Sequence, residues 1–172
     1  MTRLLGIDLG ERRIGLAIAD LDGGAAPLAT IRRGRDLAAD VASLARILAE
    51  QHASAIVVGL PLEASGDEGA QAQLTRAWAE AVAARLDVPL ALRDERLTSH
   101  QAEQRVGPMK RGRSGGPPTP MQRDAYRARI DREAATIILQ HELEARAAAG
   151  ARTGAPEPDD TGPHPAGTET TR

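Results

Sequence analysis

Three short apolar runs open the chain, Arg3–Leu9, Ile14–Asp20 and about Ala26–Arg32. They are joined by Gly10-Glu11-Arg12-Arg13 and by Asp22-Gly23-Gly24, which are turn material, so the runs read as an antiparallel meander of strands. Asp36 then caps a helix that carries Leu37, Val41, Leu44 and Leu48 on one face. Ala55-Ile56-Val57-Val58-Gly59 is continuously apolar, as expected of a strand covered on both faces, and it ends at Leu60-Pro61. A second helix is predicted from about Asp67 to Leu86, with Leu74, Trp78, Ala81 and Val82 turned inward. Leu90-Ala91-Leu92-Arg93 forms a fifth strand, entered through Pro89 and left at Asp94-Glu95. Thr98 starts a short helix, with Thr98 and Gln101 at capping-box spacing. After a loop rich in glycine and proline, Gly112 to Pro120, a last helix runs from about Arg123 to Arg146.

This order predicts an α/β fold with a mixed five-stranded sheet and flanking helices. Strands linked through helices must run parallel, with right-handed crossovers. Ligands in such sheets gather at the carboxyl ends of the strands. Asp8, Gly59-Leu60-Pro61 and Glu95 all fall at those ends.

Asp8 changes the picture from fold to chemistry. It stands in Leu4-Leu5-Gly6-Ile7-Asp8-Leu9-Gly10, among residues chosen for burial. An unpaired buried carboxylate costs several kcal/mol, so an acid kept there is held for its charge, to grip a metal ion or a phosphate-bound cation. The plainer reading is a strand-end acid that reaches solvent or caps a turn. Asp131 is a further candidate. Ile130, Ala134, Ile137 and Ile138 define the buried stripe of the last helix and place Asp131 at its margin, where small Ala134 and Ala135 allow close approach to the sheet. Pairing with Arg127 at i−4 is the structural alternative for Asp131.

Composition adds bounds. The 172 residues suit one domain plus a tail; Phe is absent, so the core is built from Leu, Ile, Val and Ala. The absence of cysteine excludes disulfides, cysteine-based zinc sites and a thiol nucleophile. The N-terminus lacks a basic leader, and no apolar stretch approaches the roughly 18 residues of a membrane span, so a cytoplasmic protein is expected. The net charge of −2 hides an uneven distribution. Arg105, Lys110, Arg111, Arg113, Arg123, Arg127, Arg129 and Arg132 face only Asp124 and Asp131 around the glycine- and proline-rich loop, which suits contact with a phosphate backbone. From Ala147 to Arg172 the chain has no apolar periodicity and an excess of acids, and is expected to be a disordered acidic tail following a domain of residues 1–146.

Four motifs in order carry a family resemblance. Gly6-Ile7-Asp8-Leu9-Gly10 with Arg13-Ile14-Gly15, Val58-Gly59-Leu60-Pro61 followed by Gly66, Asp94-Glu95-Arg96-Leu97-Thr98, and Ile130-Asp131 with Ala134-Ala135 and Ile138-Leu139-Gln140 resemble the YqgF (RuvX) family from about Leu4 to Leu143. That family is described as Holliday junction resolvases and as nucleases maturing the 5′ end of pre-16S rRNA, on a ribonuclease-H-type fold. The resemblance implies that Asp8, Glu95 and Asp131 form an acidic catalytic site for two Mg²⁺ or Mn²⁺ ions, with Asp8 bridging. It also implies a nucleic-acid substrate, precursor rRNA or branched DNA, a ribosomal subunit precursor as partner, and a monomer or homodimer. Arg13, Lys110, Arg111, Arg113 and Arg127 are the candidate substrate contacts. Because side chains alternate along a strand, only one of Asp94 and Glu95 faces the site; the resemblance selects Glu95. Ser99, where the family often has threonine, and the acidic tail depart from the pattern.

Other constellations fail. His52, His100, His141 and His164 show no ligand spacing, and Gly115-Gly116-Pro117 lacks the lysine of a P-loop. Tyr126 could stack on a base but reads as packing, and Trp78 reads as core. Besides a nuclease, two classes remain: an actin- or sugar-kinase-type ATP domain, for which the chain lacks the required duplication, and a non-catalytic RNA-binding assembly factor.

Overall fold

The computed structural model describes residues 3–96, 98–110 and 116–153. Strands β1 (Arg3–Leu9), β2 (Arg13–Asp20) and β3 (Ala25–Arg32) form the expected meander. They are followed by α1 (Leu37–Gln51), β4 (Ala53–Leu60), α2 (Ala70–Leu86), β5 (Leu90–Asp94), α3 (Thr98–Val106) and α4 (Pro120–Thr153). The sheet order is β3-β2-β1-β4-β5. β1 lies at the centre, antiparallel to β2 and parallel to β4, and β4 is parallel to β5.

The alternation of side chains along each strand sorts large residues from small. Leu5 and Ile7 of β1, Ile14 and Leu16 of β2 and Ile56 and Val58 of β4 pack on one face against Leu44, Ile47 and Leu48 of α1 and Ala79 and Val82 of α2. The opposite face carries Leu4, Ala17, Ala19, Ala55 and Val57, and there Ala135, Ile138 and Leu139 of α4 close the core. α3 is fastened to α4 through Ala102, Ala134 and Ile137. On the sheet side the close approach is made by glycines: a Cβ on Gly6 would strike Leu139 and the Ala135 carbonyl.

One helix therefore spans the whole sheet. Thr30 on β3 donates to the Ala128 carbonyl at 2.7 Å, while Arg93 on β5 pairs with the buried Glu142. From residue 128 to 142 an α-helix rises about 21 Å. Five strands cover about 19 Å from first to last, so α4 lies across them rather than along them. Each turn of α4 is thereby assigned to a strand, and Asp131 is assigned to the neighbourhood of β2 and β1.

Several elements differ from the sequence expectation. Leu74 is 66% exposed, and the buried stripe of α2 is Ala72, Thr75, Ala79, Val82 and Ala83. The many alanines of this helix blur its periodicity, so the apolar spacing does not single out the buried side. α4 begins at Pro120, ahead of Arg123, because Thr119 and Gln122 form a reciprocal capping box: the Thr119 N–H donates to Gln122 Oε1 at 2.8 Å and the Gln122 N–H to Thr119 Oγ1 at 3.2 Å. The helix also continues past Arg146 to Thr153, through Ala147-Ala148-Ala149, whose helix propensity needs no packing. The rest of the predicted tail, residues 154–172, lies outside the described residues. Thr98 is a buried first residue of α3 rather than its cap. Trp78 is partly buried against the core as expected, and its indole N–H also donates to buried Asp40, which Arg33 and the Gly34 N–H complete.

Candidate active site

Asp8 belongs to the small-residue face of β1, on the same side as Gly6, so it points toward α4. Its register partner on β2 is Gly15. A Cβ on Gly15 would collide with the Asp131 backbone, so the missing side chain lets the helix settle there and sets Asp131 beside Asp8. Glu95 follows the end of β5, where its N–H donates to the Leu60 carbonyl at 3.1 Å and its carbonyl accepts from Thr98 at 2.9 Å. A Cβ on Gly59 would overlap Glu95 Oε2 and Ile138. Gly59 is thus the recess that receives the Glu95 carboxyl under α4.

Asp8 is the middle of the three predicted acids. Burial, and then the charge of Asp131, raise its pKa to about 7. Burial first, then Asp8, then Asp94, raise that of Glu95 to about 8. Glu95 Oε2 is buried with no hydrogen-bond partner among the described residues. A buried acceptor left without a partner costs roughly 1–3 kcal/mol, more for a charged group. Asp8 and Glu95, the latter with an acceptor that has no partner among the described residues, form an oxygen-only donor set that a hard cation would satisfy.

Asp131 is engaged otherwise. Its Oδ2 accepts from Arg13 Nε at 2.7 Å, and Arg13 also lies 3.6 Å from Asp124. The partner is thus Arg13, across the sheet, and not Arg127 on its own helix. Among the described residues no three acidic or histidine side chains converge closely enough to hold a metal ion as they stand. Asp94 faces away: its carboxylate accepts from the Arg96 side chain at 2.8 Å and from the Arg96 N–H at 3.0 Å, and these bonds lower its pKa.

Of the predicted substrate contacts, Arg13 and Arg127 line one cavity of about 470 Å³ with Asp131. Arg12 and Arg32, which sequence reasoning missed, line it too. Arg12 sat in an apparent turn and Arg32 at a strand end, and only the β2–β3 pairing brings them together. Lys110 is exposed beyond α3, whereas Arg111 and Arg113 lie outside the described residues. The Tyr126 hydroxyl donates to the Gly107 carbonyl at 2.9 Å and so ties α4 to the end of α3. No helix among the described residues is long and apolar enough to cross a membrane.

A central β1 flanked by an antiparallel β2 and a parallel β4, with one long helix laid over the acid-bearing face, defines a ribonuclease-H-like fold. The solved structure of T. thermophilus RuvC in complex with a Holliday junction substrate has this architecture, with a TM-score of 0.50 and 19% identity over 85% of this chain and 96% of that one. The chain belongs to the RuvX (YqgF) family, whose model, described as Holliday junction resolvase, matches residues 2–145. Similar proteins from Anaeromyxobacter sp. (strain Fw109-5) and Chloroflexus aggregans carry the name "Putative pre-16S rRNA nuclease". The first is 44% identical over 84% of this chain and 98% of its own length; the second is 42% identical over 83% and 94%.

Proposed function

We propose that this chain is a metal-dependent nuclease that hydrolyses phosphodiester bonds in the 5′ region of the 16S rRNA precursor, with Asp8, Glu95 and Asp131 as its catalytic acids. The observation that carries the reading is the Glu95 carboxyl seated in the Gly59 recess under α4 near Asp8, with its buried Oε2 lacking a hydrogen-bond partner among the described residues. A fold has no use for such a pair as packing; a divalent cation gives it one.

Asp8 and Glu95, joined by Asp131, would hold Mg²⁺ or Mn²⁺, and the bound ions would supply an activated water and charge stabilisation at the leaving oxygen. The chain's own residues do the rest. Asp8 contributes from the rigid centre of the sheet, and Gly59 and Gly15 keep Glu95 and Asp131 pressed toward it. Arg13 keeps the Asp131 carboxylate oriented and presents a guanidinium to an arriving phosphate. Arg127, Lys110, Arg111 and Arg113 contribute cationic contacts along the backbone of the strand. The setting proposed for this activity is the cytoplasm, on a precursor of the ribosomal subunit.

A second reading, resolution of four-way DNA junctions, is supported by the description of the family model. It would require two copies of the chain to cut symmetrically. Purified protein with Mg²⁺ or Mn²⁺ is offered a 16S precursor RNA and a four-way DNA junction at equal concentration and matched salt. Trimming of the RNA at its 5′ region with the junction intact is the expected result. Paired, symmetric cuts in the junction with intact RNA would replace the first reading by the second.

A further inference from the structure

The cavity beside Asp131 is lined by arginines from separate parts of the fold. Arg12 comes from the β1–β2 turn, Arg13 from the start of β2, Arg32 from the end of β3 and Arg127 from α4. Their backbones are fixed. The Gly10 N–H donates to the Arg13 carbonyl at 2.9 Å, and the Arg33 N–H donates to the Arg12 carbonyl at 3.0 Å.

Their charges are poorly matched within the protein. Arg13 is taken up by Asp131 and Asp124. Arg12, Arg32 and Arg127 have no carboxylate partner among the described residues, and Glu11 is the one acid on this rim without a cation of its own. Arg13 and Arg32 are moreover directly opposed in the β2–β3 register. Like charges facing each other across an antiparallel pair are destabilising. An arrangement that gathers cations from three directions, sets two of them opposite each other and leaves three unmatched is completed by an anion. Guanidinium groups favour one geometry above others, the bidentate grip on a phosphate. The cavity, about 470 Å³, accommodates a phosphodiester with its adjoining sugar.

We propose that Arg12, Arg32 and Arg127 form a cradle for a backbone phosphate of the substrate strand, adjacent to the phosphate that is cut. The inference rests on the nucleic-acid reading above and adds to it where the strand lies: across the β1–β2 turn and over α4, entering the acidic site past Arg13. It makes the three arginines a positioning device, distinct in role from the catalytic acids although Asp131 lines the same cavity, and gives them a sequence-independent role because only phosphate is gripped.

The test is equilibrium binding of a short labelled single-stranded RNA to the full chain in EDTA, by fluorescence anisotropy over a salt series. Inorganic phosphate and a mononucleotide serve as competitors. The cradle takes one backbone phosphate, and a lost phosphate contact to a single strand should lower the salt slope by about 0.7, so the triple variant Arg12→Ala/Arg32→Ala/Arg127→Ala should lose about 0.7 units of slope and bind more than tenfold weaker at low salt. Free phosphate should compete poorly, since a single anion lacks the neighbouring contacts of a strand. Efficient competition by the mononucleotide, at the concentration of RNA phosphates, would instead make the cavity a nucleotide site and overturn the strand proposal. If the triple variant melts below the wild type, Arg127→Ala alone, on an exposed helical position, reads its own share of the slope.

An unchanged slope and affinity in a folded variant would overturn the cradle, as would a wild type that binds RNA without salt dependence. The outcome is separable from that of the acidic site. Asp8→Asn leaves the cradle intact, so it should bind RNA in EDTA with the wild-type slope even where cleavage is lost. Cleavage lost in Asp8→Asn, together with a normal slope in the triple variant, would leave the site standing and remove the cradle.

Discussion

Arg13 on β2 donates from Nε to Asp131 Oδ2 on α4 at 2.7 Å, so a candidate catalytic carboxylate is held by a cation of the same chain. Both side chains are about one-quarter exposed, which keeps the pair in reach of solvent and of an incoming phosphate. The pair lies between the arginine-lined cavity and Asp8, and its exchange would connect the two.

Removing Arg13 should therefore improve the metal site while harming the use of substrate. Arg13→Gln should bind Mn²⁺ more tightly in the absence of nucleic acid, by roughly fivefold for an interaction of about 1 kcal/mol. Titration followed by Mn²⁺ electron paramagnetic resonance measures this. Arg127→Ala, which removes a nearby charge that is not bonded to Asp131, separates release of the acid from simple loss of repulsion and should change Mn²⁺ affinity far less. Equal gains in both variants would refute the role of the ion pair.

The raised pKa values of Asp8, to about 7, and Glu95, to about 8, fix the sign of a pH effect on stability. In the unfolded chain these groups titrate near 4. Below that pH both states are protonated and nothing is lost. As pH rises, the unfolded chain releases its protons while the folded protein keeps them until about 7 to 8, so stability declines across that window. Metal-free protein should melt at a lower temperature at pH 8.5 than at pH 5.5. Asp8→Asn should flatten this decline and raise stability at the higher pH, on the order of a few kcal/mol. Added Mn²⁺ should restore the wild type and not the variant. A melting temperature independent of pH, or one that falls in Asp8→Asn, would contradict the account.

Gly59 tests how closely Glu95 is seated. In Gly59→Ala the new methyl meets Glu95 Oε2 and Ile138 of α4. Overpacking of this kind costs about 1–3 kcal/mol. The variant should remain folded, with a lowered melting temperature, and bind Mn²⁺ at least tenfold more weakly because Glu95 is displaced. Wild-type Mn²⁺ affinity in a folded Gly59→Ala protein would show that Glu95 is not a ligand.

Much of this was readable from local pattern. The alternation in Leu4-Leu5-Gly6-Ile7-Asp8 already assigns Gly6 and Asp8 to one face, and the breakers between runs mark nearly every strand end. Asp36 caps α1 as its position predicts, accepting from the Ala39 N–H at 2.9 Å. What local pattern could not give is pairing between distant residues. Asp131 and Arg13 are 118 positions apart, and a rule for neighbours on one helix selects Arg127 instead. The opposition of Arg13 and Arg32 depends on sheet register, and the space that Gly59 leaves for Glu95 depends on where α4 crosses. Asp40 illustrates the same limit: an acid in the first turn of a helix reads as a surface residue, yet Arg33, Gly34 and Trp78 close over it. The start of α4 was legible in Thr119-Pro120-Met121-Gln122, but the run of breakers before it masked the capping box.

The most direct measurement is cleavage of a 16S precursor RNA by wild type, Asp8→Asn and Glu95→Gln, in Mg²⁺, in Mn²⁺ and in EDTA, with folding of each variant checked by its melt. Cleavage by the wild type only when a divalent ion is present, and a loss of at least a hundredfold in each folded variant, is the result the account predicts. Undiminished cleavage by folded Asp8→Asn, or wild-type cleavage in EDTA, would contradict it.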